Sequence, residues 1–216
     1  MTDSYRLYGL PLDPVPAGTN LLVTGDPMGG TDGVAVRLLA GGLADDQGIA
    51  AVATDQRGEE LLAACEAAAG DAFRGGHVGV IDCLGDQAGE SDHPSVRRVG
   101  SPSDVTGIGM QLSRLWDGLG TRAVDGVRTG VVDVSTIVRY AGRAPVFRFL
   151  HMVTGRVGGD GLGVYVLYPD THDSEVVGSL RPLFDGQIEV RHDAGLAVRA
   201  RGLADQPTEW RPVDDG

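Results

Sequence analysis

The chain has 216 residues, a net charge of −12 and an isoelectric point of about 4.7, and all 18 of its basic residues are arginine. This length suits one α/β domain, which we expect to span residues 1–216. The acidity argues against nucleic acid as a partner, because non-specific binding needs clustered cations to displace counterions. No run approaches the roughly 18 apolar residues of a membrane span, and the first residues lack a signal-peptide pattern, so we expect a cytoplasmic protein without a membrane contact.

The predicted elements alternate between strands and helices. Residues 1–19 carry three prolines and are predicted to cross the surface as an extended lead-in. Apolar runs of strand length follow, beginning at Asn20, Ile49, Val78, Val96, Val127 and Val164. Apolar residues at helical spacing lie between most of these runs, most clearly over residues 105–119. Residues 186–202 predict a β-hairpin and residues 203–216 a tail, so the chain is predicted to be α/β, with helices on both faces of a mostly parallel sheet and an antiparallel C-terminal hairpin.

The loop after the first strand has the spacing of a phosphate-binding loop. Gly25 and Gly30 match G-x-x-x-x-G, but Thr31 stands where such loops have lysine and Asp32 where they have Ser or Thr. Asp32 either brings a negative charge to the γ-phosphate position or caps the following helix and fills the protein's own anion site. The candidate nucleotide contacts are Gly25, Asp26, Pro27, Met28, Gly29, Gly30, Thr31 and Asp32.

These features together resemble the RecA/KaiC-like branch of the P-loop ATPases. The resemblance rests on the loop, on Asp55-Gln56 after the second strand, on the Asp-Val-Ser-Thr sequence after a later strand and on the closing hairpin, and it covers roughly residues 8–212. The segment 148–156 is similar to small single-domain KaiC-like proteins of salt-loving archaea. An acidic chain without lysine fits that origin, although a genome rich in G and C would also favour arginine. The resemblance implies a RecA-like fold with ATP or ADP and Mg²⁺ as cofactors, bound weakly or no longer bound.

The resemblance also assigns roles to the residues that follow the strands. The phosphate lysine of the family aligns with Thr31 and its Mg²⁺ hydroxyl with Asp32. Its two catalytic carboxylates align with Asp55 and Gln56, so one acid remains to act as a base. The alternative interpretation is that Asp55 and Gln56 are polar residues that end the strand and have no catalytic role.

Two further positions are candidates for the same site. Asp133 follows an apolar run and matches the family's Mg²⁺-binding acid, whereas an alignment on Ser135-Thr136 places Val132 there and turns Asp133 to the opposite face. His172 lies near the family's γ-phosphate sensor, with a surface or capping role as the alternative. The other histidines and the two cysteines show no metal-ligand spacing, so no separate metal site is predicted.

Three functions are compatible with the sequence. The first is a pseudo-ATPase that serves as a regulatory, signalling or scaffold module, with a protein partner or a second copy of itself. The second is an active but atypical ATPase in which main-chain amides, or arginines such as Arg139, Arg143 and Arg148 from a neighbouring subunit, replace the lysine. The third is a RecA-like DNA-binding paralogue, which would need an exposed basic groove.

Overall fold

The computed structural model describes residues 3–85, 93–122 and 124–213, so most of the surface loop predicted between Gly85 and Pro94 lies outside the described residues. The strands are β1 (Ser4–Tyr5), β2 (Val15–Pro16), β3 (Asn20–Thr24), β4 (Gly48–Ala53), β5 (Val78–Asp82), β6 (Val96–Arg98), β7 (Val127–Val132), β8 (Leu162–Leu167), β9 (Gly186–Arg191), β10 (Ala197–Arg201) and β11 (Arg211–Pro212). The α-helices are α1 (Thr31–Ala40), α2 (Gly58–Ala69), α3 (Val105–Gly120), α4 (Val134–Ala141), α5 (Arg143–Val157) and α6 (Ser174–Leu180).

Nine of these strands form one sheet in the order β11-β10-β9-β3-β8-β7-β4-β5-β6. In this order, every strand from β9 to the edge strand β6 is parallel to its neighbours within that part of the sheet. At the other edge, β10 is antiparallel to β9 and β11 is antiparallel to β10. The predicted α/β class with a C-terminal hairpin is therefore confirmed. Among the described residues, no helix has both the length and the apolar character needed to cross a bilayer.

The two faces of the sheet carry separate apolar cores. Alternate residues of the central strands point to opposite faces, so Ile49 and Ala51 pack with α1 and α2, whereas Ala50 and Val52 pack with α3 and α5. The central strands β3, β4 and β8 are buried along their whole length, as expected for a parallel sheet covered by helices on both sides. The carboxyl ends of β3, β8, β7 and β4 meet at one edge, and the candidate residues follow these ends.

The N-terminal segment differs from the prediction of an extended stretch crossing the surface. β1 and β2 pair as a small antiparallel sheet, and Tyr5, Leu7 and Val15 are almost fully buried in the α1–α2 core. The Tyr5 hydroxyl donates a hydrogen bond of 2.6 Å to the carbonyl of Asp160. The prolines suggested an exposed path, but the apolar residues between them supply enough surface to bury the segment.

Arg128 joins this segment to the sheet. Its side chain is fully buried on β7, where it donates to Gln47 Oε1 at 2.7 Å, to the Arg6 carbonyl at 2.9 Å and to the Leu38 carbonyl at the end of α1. Burial lowers the pKa of Arg128 to about 10, and the guanidinium also lies over the Tyr5 ring. A buried cation is retained here because it serves three acceptors that would otherwise lack a donor.

Two further elements were not predicted. α4 starts directly after β7, and Gly142, with φ of +80°, separates it from α5. β11 lies within the predicted tail and pairs with β10. Both are too short for hydrophobic periodicity to distinguish them from loops.

Candidate functional site

The loop from Gly25 to Gly30 connects the end of β3 to the start of α1 in a fixed conformation. Gly30 precedes the helix with φ of +80°, a conformation that suits glycine. Thr31 is fully buried, and its hydroxyl donates to the Asp26 carbonyl at 3.0 Å. A Cβ atom on Gly25 would lie 2.5 Å from that hydroxyl. Position 31 therefore points under the loop rather than out toward a ligand.

Asp26 accepts hydrogen bonds from the loop's own amides. Its carboxylate Oδ1 accepts from the Met28 N–H at 2.9 Å, and its carbonyl accepts from the Gly29 N–H at 2.9 Å. In a phosphate-binding loop, amides of this kind converge on the anion. Here the amides of Met28 and Gly29 are bonded to Asp26 within the loop. Asp26 itself is exposed at the loop tip. Two of the loop's amides are therefore bonded within the loop itself.

Asp32 lies in the first turn of α1 and is not its N-cap. The capping position belongs to Gly30, and no side chain caps this helix end. The sequence-based alternative in which Asp32 fills the anion site as a cap is therefore wrong, although the carboxylate still lies at the positive end of the helix dipole. Asp32 instead accepts a hydrogen bond from the hydroxyl of Tyr168, which follows β8. Burial and the charge of Asp133 raise the pKa of Asp32, while the Tyr168 hydrogen bond opposes that rise.

Asp133 is buried at the end of β7 with a left-handed backbone, at φ of +69°. Its carboxylate accepts from the Thr136 N–H at 3.0 Å and from the Thr136 hydroxyl at 2.5 Å, which makes it the N-cap of α4. Its carbonyl accepts from the Thr54 hydroxyl at 2.7 Å. Of the two registers left open by the sequence, the structure shows Val132 in the α1–α2 core and Asp133 facing the site, with its oxygen atoms occupied by Thr136.

Asp55 and Gln56 follow β4, as predicted, with Asp55 reaching solvent and Gln56 half-buried. The pKa of Asp55 is raised to about 6, first by partial burial and then by the negative charges of Asp133 and Asp32. Arg139 on α4 opposes this rise. The three aspartates thus lie close enough to interact electrostatically, and Asp55 titrates near the range of a general base.

His172 completes the set of predicted site residues. It follows the short turn after β8, and its Nε2 atom is buried without a hydrogen-bond partner among the described residues. Burial lowers the pKa of His172, while the nearby Asp133 opposes that shift and Arg139 adds to it. A neutral imidazole next to Asp133 therefore lies at the same edge as the aspartates.

Two features of this edge differ from those of a phosphate-binding loop. Such a loop offers free amides and a cation to the phosphate, whereas here the amides of Met28 and Gly29 are bonded to Asp26 and a carboxylate stands at position 32. Within the described part of the chain, no three His, Cys, Asp or Glu side chains are arranged to hold a metal ion.

The site also contains residues that the sequence did not single out for it. Tyr168 is the partner of Asp32, and burial together with that contact raises its pKa far above the ordinary value of 10.0. Its position just after a central strand was the available signal, since such positions meet at one edge of a parallel sheet. Arg139, for which a role at a subunit contact was one alternative, lies close enough to Asp55 and His172 to influence their pKa values within the chain.

The fold is RecA-like, and the candidate residues follow the carboxyl ends of its parallel strands. The KaiC-like protein PH0186 of Pyrococcus horikoshii OT3 superimposes with a TM-score of 0.61 at 13% identity, over 93% of this chain and 87% of that one. PH0321 from Pyrococcus horikoshii, solved in complex with an unknown peptide, has a TM-score of 0.63 at 11% identity, over 87% of this chain and 84% of that one. PH0250 of Pyrococcus horikoshii OT3 has a TM-score of 0.60 at 13% identity, over 91% of this chain and 93% of that one. At these identities the similarity concerns the fold alone.

The family is identified by sequence. Residues 18–190 match the model of DUF7504, a family of unknown function, and the chain belongs to this family. No curated protein matches the sequence. The predicted relationship to the RecA/KaiC-like proteins is confirmed at the level of fold.

Proposed function

We propose that this protein is a KaiC-like pseudo-ATPase, a module that keeps the nucleotide-binding fold and acts through protein contacts in regulation, signalling or scaffolding. The observation that carries the proposal is the hydrogen bonding of the loop, where Asp26 takes the amides of Met28 and Gly29. Asp32 adds a half-buried carboxylate held by Tyr168. Nucleotide binding would have to break these contacts before it could form its own.

The electrostatics support the same conclusion. A unit charge on phosphate about 5 Å from the Asp32 carboxylate is repelled by roughly 3 kcal/mol at an effective dielectric constant of 20. The missing lysine removes about another 1.5–3 kcal/mol of charge-assisted hydrogen bonding. Together these effects weaken nucleotide binding by a factor of at least about 10³ relative to an intact loop.

Exposed apolar side chains support a protein as the partner. Met110 on α3, Tyr140 on α4 and Met152 on α5 are 54%, 62% and 43% exposed. A groove of about 320 Å³ lies between α3 and α5, bordered by Met152 and Phe149. Exposed apolar patches commonly mark protein interaction sites. The related fold PH0321 was solved with a peptide, which is compatible with a protein partner or a second copy of this chain.

We also propose a cytoplasmic location. Cys65 and Cys83 are both buried as free thiols, which suits a reducing compartment. Burial raises the pKa of Cys65 to about 12, so this thiol stays protonated and unreactive.

Calorimetry with ATP and ADP tests the proposal, with and without Mg²⁺, in about 0.15 M and about 2–3 M KCl. No binding is expected at about 1 mM nucleotide. The double variant Thr31→Lys with Asp32→Thr restores both missing groups and should gain affinity if the loop can open. Mg²⁺-dependent binding by the unmodified protein at micromolar concentrations, followed by turnover, would refute the proposal.

A second candidate is an atypical ATPase. It is favoured by Asp55, whose pKa of about 6 suits a general base, and by the nearby Arg139 as a substitute cation. Phosphate release that is lost in Asp55→Asn but kept in Gln56→Asn would establish it, and a hexamer in light scattering would support it. A DNA-binding role is weaker because the chain carries a net charge of −12, and gel shifts with duplex and single-stranded DNA test it.

A further inference from the structure

A second candidate site lies at the opposite edge of the sheet, where the strands begin. A cavity of about 440 Å³ opens between the C-terminal half of α3 and the starts of β5 and β6. On this side of the sheet α3 packs against β4 and β5, and β6 is the edge strand. Its residues are therefore separate from the Asp26–Asp32 loop, which lies beyond the carboxyl ends of the strands.

Three arginines border this cavity. Arg97 is paired with Ile81 in the β5–β6 ladder and so projects to the face on which Ile81 packs with α3. Arg114 lies on α3 and Arg122 in the turn that follows this helix, with Gly118 between them in the sequence. Three of the chain's 18 basic residues thus lie around one opening in a protein of net charge −12.

Within the described part of the chain, these arginines have no acidic counterpart at the cavity. None of the described residues that line the cavity is acidic. Arg97, Arg114 and Arg122 form no hydrogen bond or ion pair with residues 3–85, 93–122 or 124–213, whereas Arg143 and Arg199 elsewhere are paired with glutamates. Like charges gathered without counterions are unfavourable, so an arrangement of this kind favours an anion that neutralises it.

The floor of the cavity is apolar and shaped by glycine. Leu115 and Leu119 form it together with Val78 and Gly79. A Cβ atom on Gly79 would lie 2.4 Å from Leu115, so this glycine lets the helix approach the strand. A Cβ atom on Gly118 would meet nothing within 4 Å, which leaves the space between Arg114 and Arg122 open.

From this geometry we infer that the cavity binds a phosphate monoester with an apolar or aromatic body. The guanidinium groups of Arg114 and Arg122, with Arg97 facing them, match the several oxygen atoms and the double negative charge of a phosphate. The body of the ligand packs against Leu115 and Leu119. Three cations favour a dianion over a carboxylate, which carries one charge.

Calorimetry with 1-naphthyl phosphate tests the inference, and 1-naphthol and 1-naphthalenesulfonate serve as neutral and singly charged controls. The phosphate should bind with a dissociation constant below about 1 mM. Arg114→Gln and Arg122→Gln should each weaken binding at least about tenfold. Arg211→Gln is the matched control, because it removes an exposed arginine at the other edge of the sheet and should leave affinity unchanged.

A second variant separates charge from shape. Gly118→Leu keeps every arginine and fills the space between them, so it should also weaken 1-naphthyl phosphate at least about tenfold. Urea denaturation checks that all variants are folded. The inference would be overturned if 1-naphthyl phosphate did not bind, or if 1-naphthol bound with the same affinity. It would also be overturned if Arg211→Gln weakened binding of 1-naphthyl phosphate as much as Arg114→Gln. Equal affinity for the sulfonate would overturn the assignment to phosphate.

Discussion

Asp55→Asn should stabilise the folded protein, and only above a defined pH. The pKa of Asp55 is about 6 in the folded chain, against an ordinary value of 3.8. Because the folded state binds the Asp55 proton more tightly than the unfolded state, protonation of Asp55 stabilises the fold. This contribution is complete below about pH 4 and is lost as the pH rises through 6. Asparagine cannot ionise and therefore avoids this loss. The full difference corresponds to about 3 kcal/mol, which screening of this solvent-exposed side chain reduces to about 1 kcal/mol.

The measurement is urea denaturation of both proteins at several values between about pH 4 and pH 8. The two curves should coincide near pH 4, separate as the pH rises to 6 and stay about 1 kcal/mol apart above it. Asp193→Asn, at an exposed turn between β9 and β10, is the control and should show no such separation. A variant that is less stable at pH 7, or a difference that does not depend on pH, would refute the reasoning about repulsion among the aspartates.

Three further substitutions test contacts within the fold and the site. Arg128→Met should lower the free energy of unfolding by about 3 kcal/mol in urea, because two buried acceptors and one part-buried acceptor lose a donor; a loss under about 1 kcal/mol would contradict this. Thr136→Val should cost about 1.5–3 kcal/mol, since the buried Asp133 carboxylate loses a hydroxyl donor, whereas the exposed Thr106→Val should change little. Tyr168→Phe should cost about 1–2 kcal/mol near neutral pH and less in acid, because protonation of Asp32 removes the charge that the hydroxyl stabilises; a cost independent of pH would point to packing instead.

The sequence predicted the sheet and most helices because buried strands and amphipathic helices leave repeated patterns of apolar residues. Asn20–Thr24 and Gly48–Ala53 are continuous apolar runs, and α3 has an unbroken stripe at helical spacing. The short α4 has eight residues and follows β7 after the single residue Asp133, so it left no comparable pattern. The burial of Tyr5 depends on Arg128, which is 123 positions away and contacts the segment only after folding.

The site was predicted in its location and not in its contacts. The rule that polar residues after parallel strands meet at one edge pointed to Asp55 and His172, which lie at that edge, while the register of Asp133 was left open by the sequence. It did not supply the contact between Asp32 and Tyr168, which are 136 residues apart. Spacing also could not distinguish a loop whose amides are free from one whose amides bond to Asp26, since both have the same glycines.

The proposed loss of nucleotide binding has a consequence for how the protein responds to its surroundings. A ligand stabilises the folded state in proportion to the logarithm of its concentration over its dissociation constant. On the proposed function this linkage is absent, so the melting temperature is expected to be the same with and without ATP. Such a protein would present the same surface to a partner at any ATP concentration.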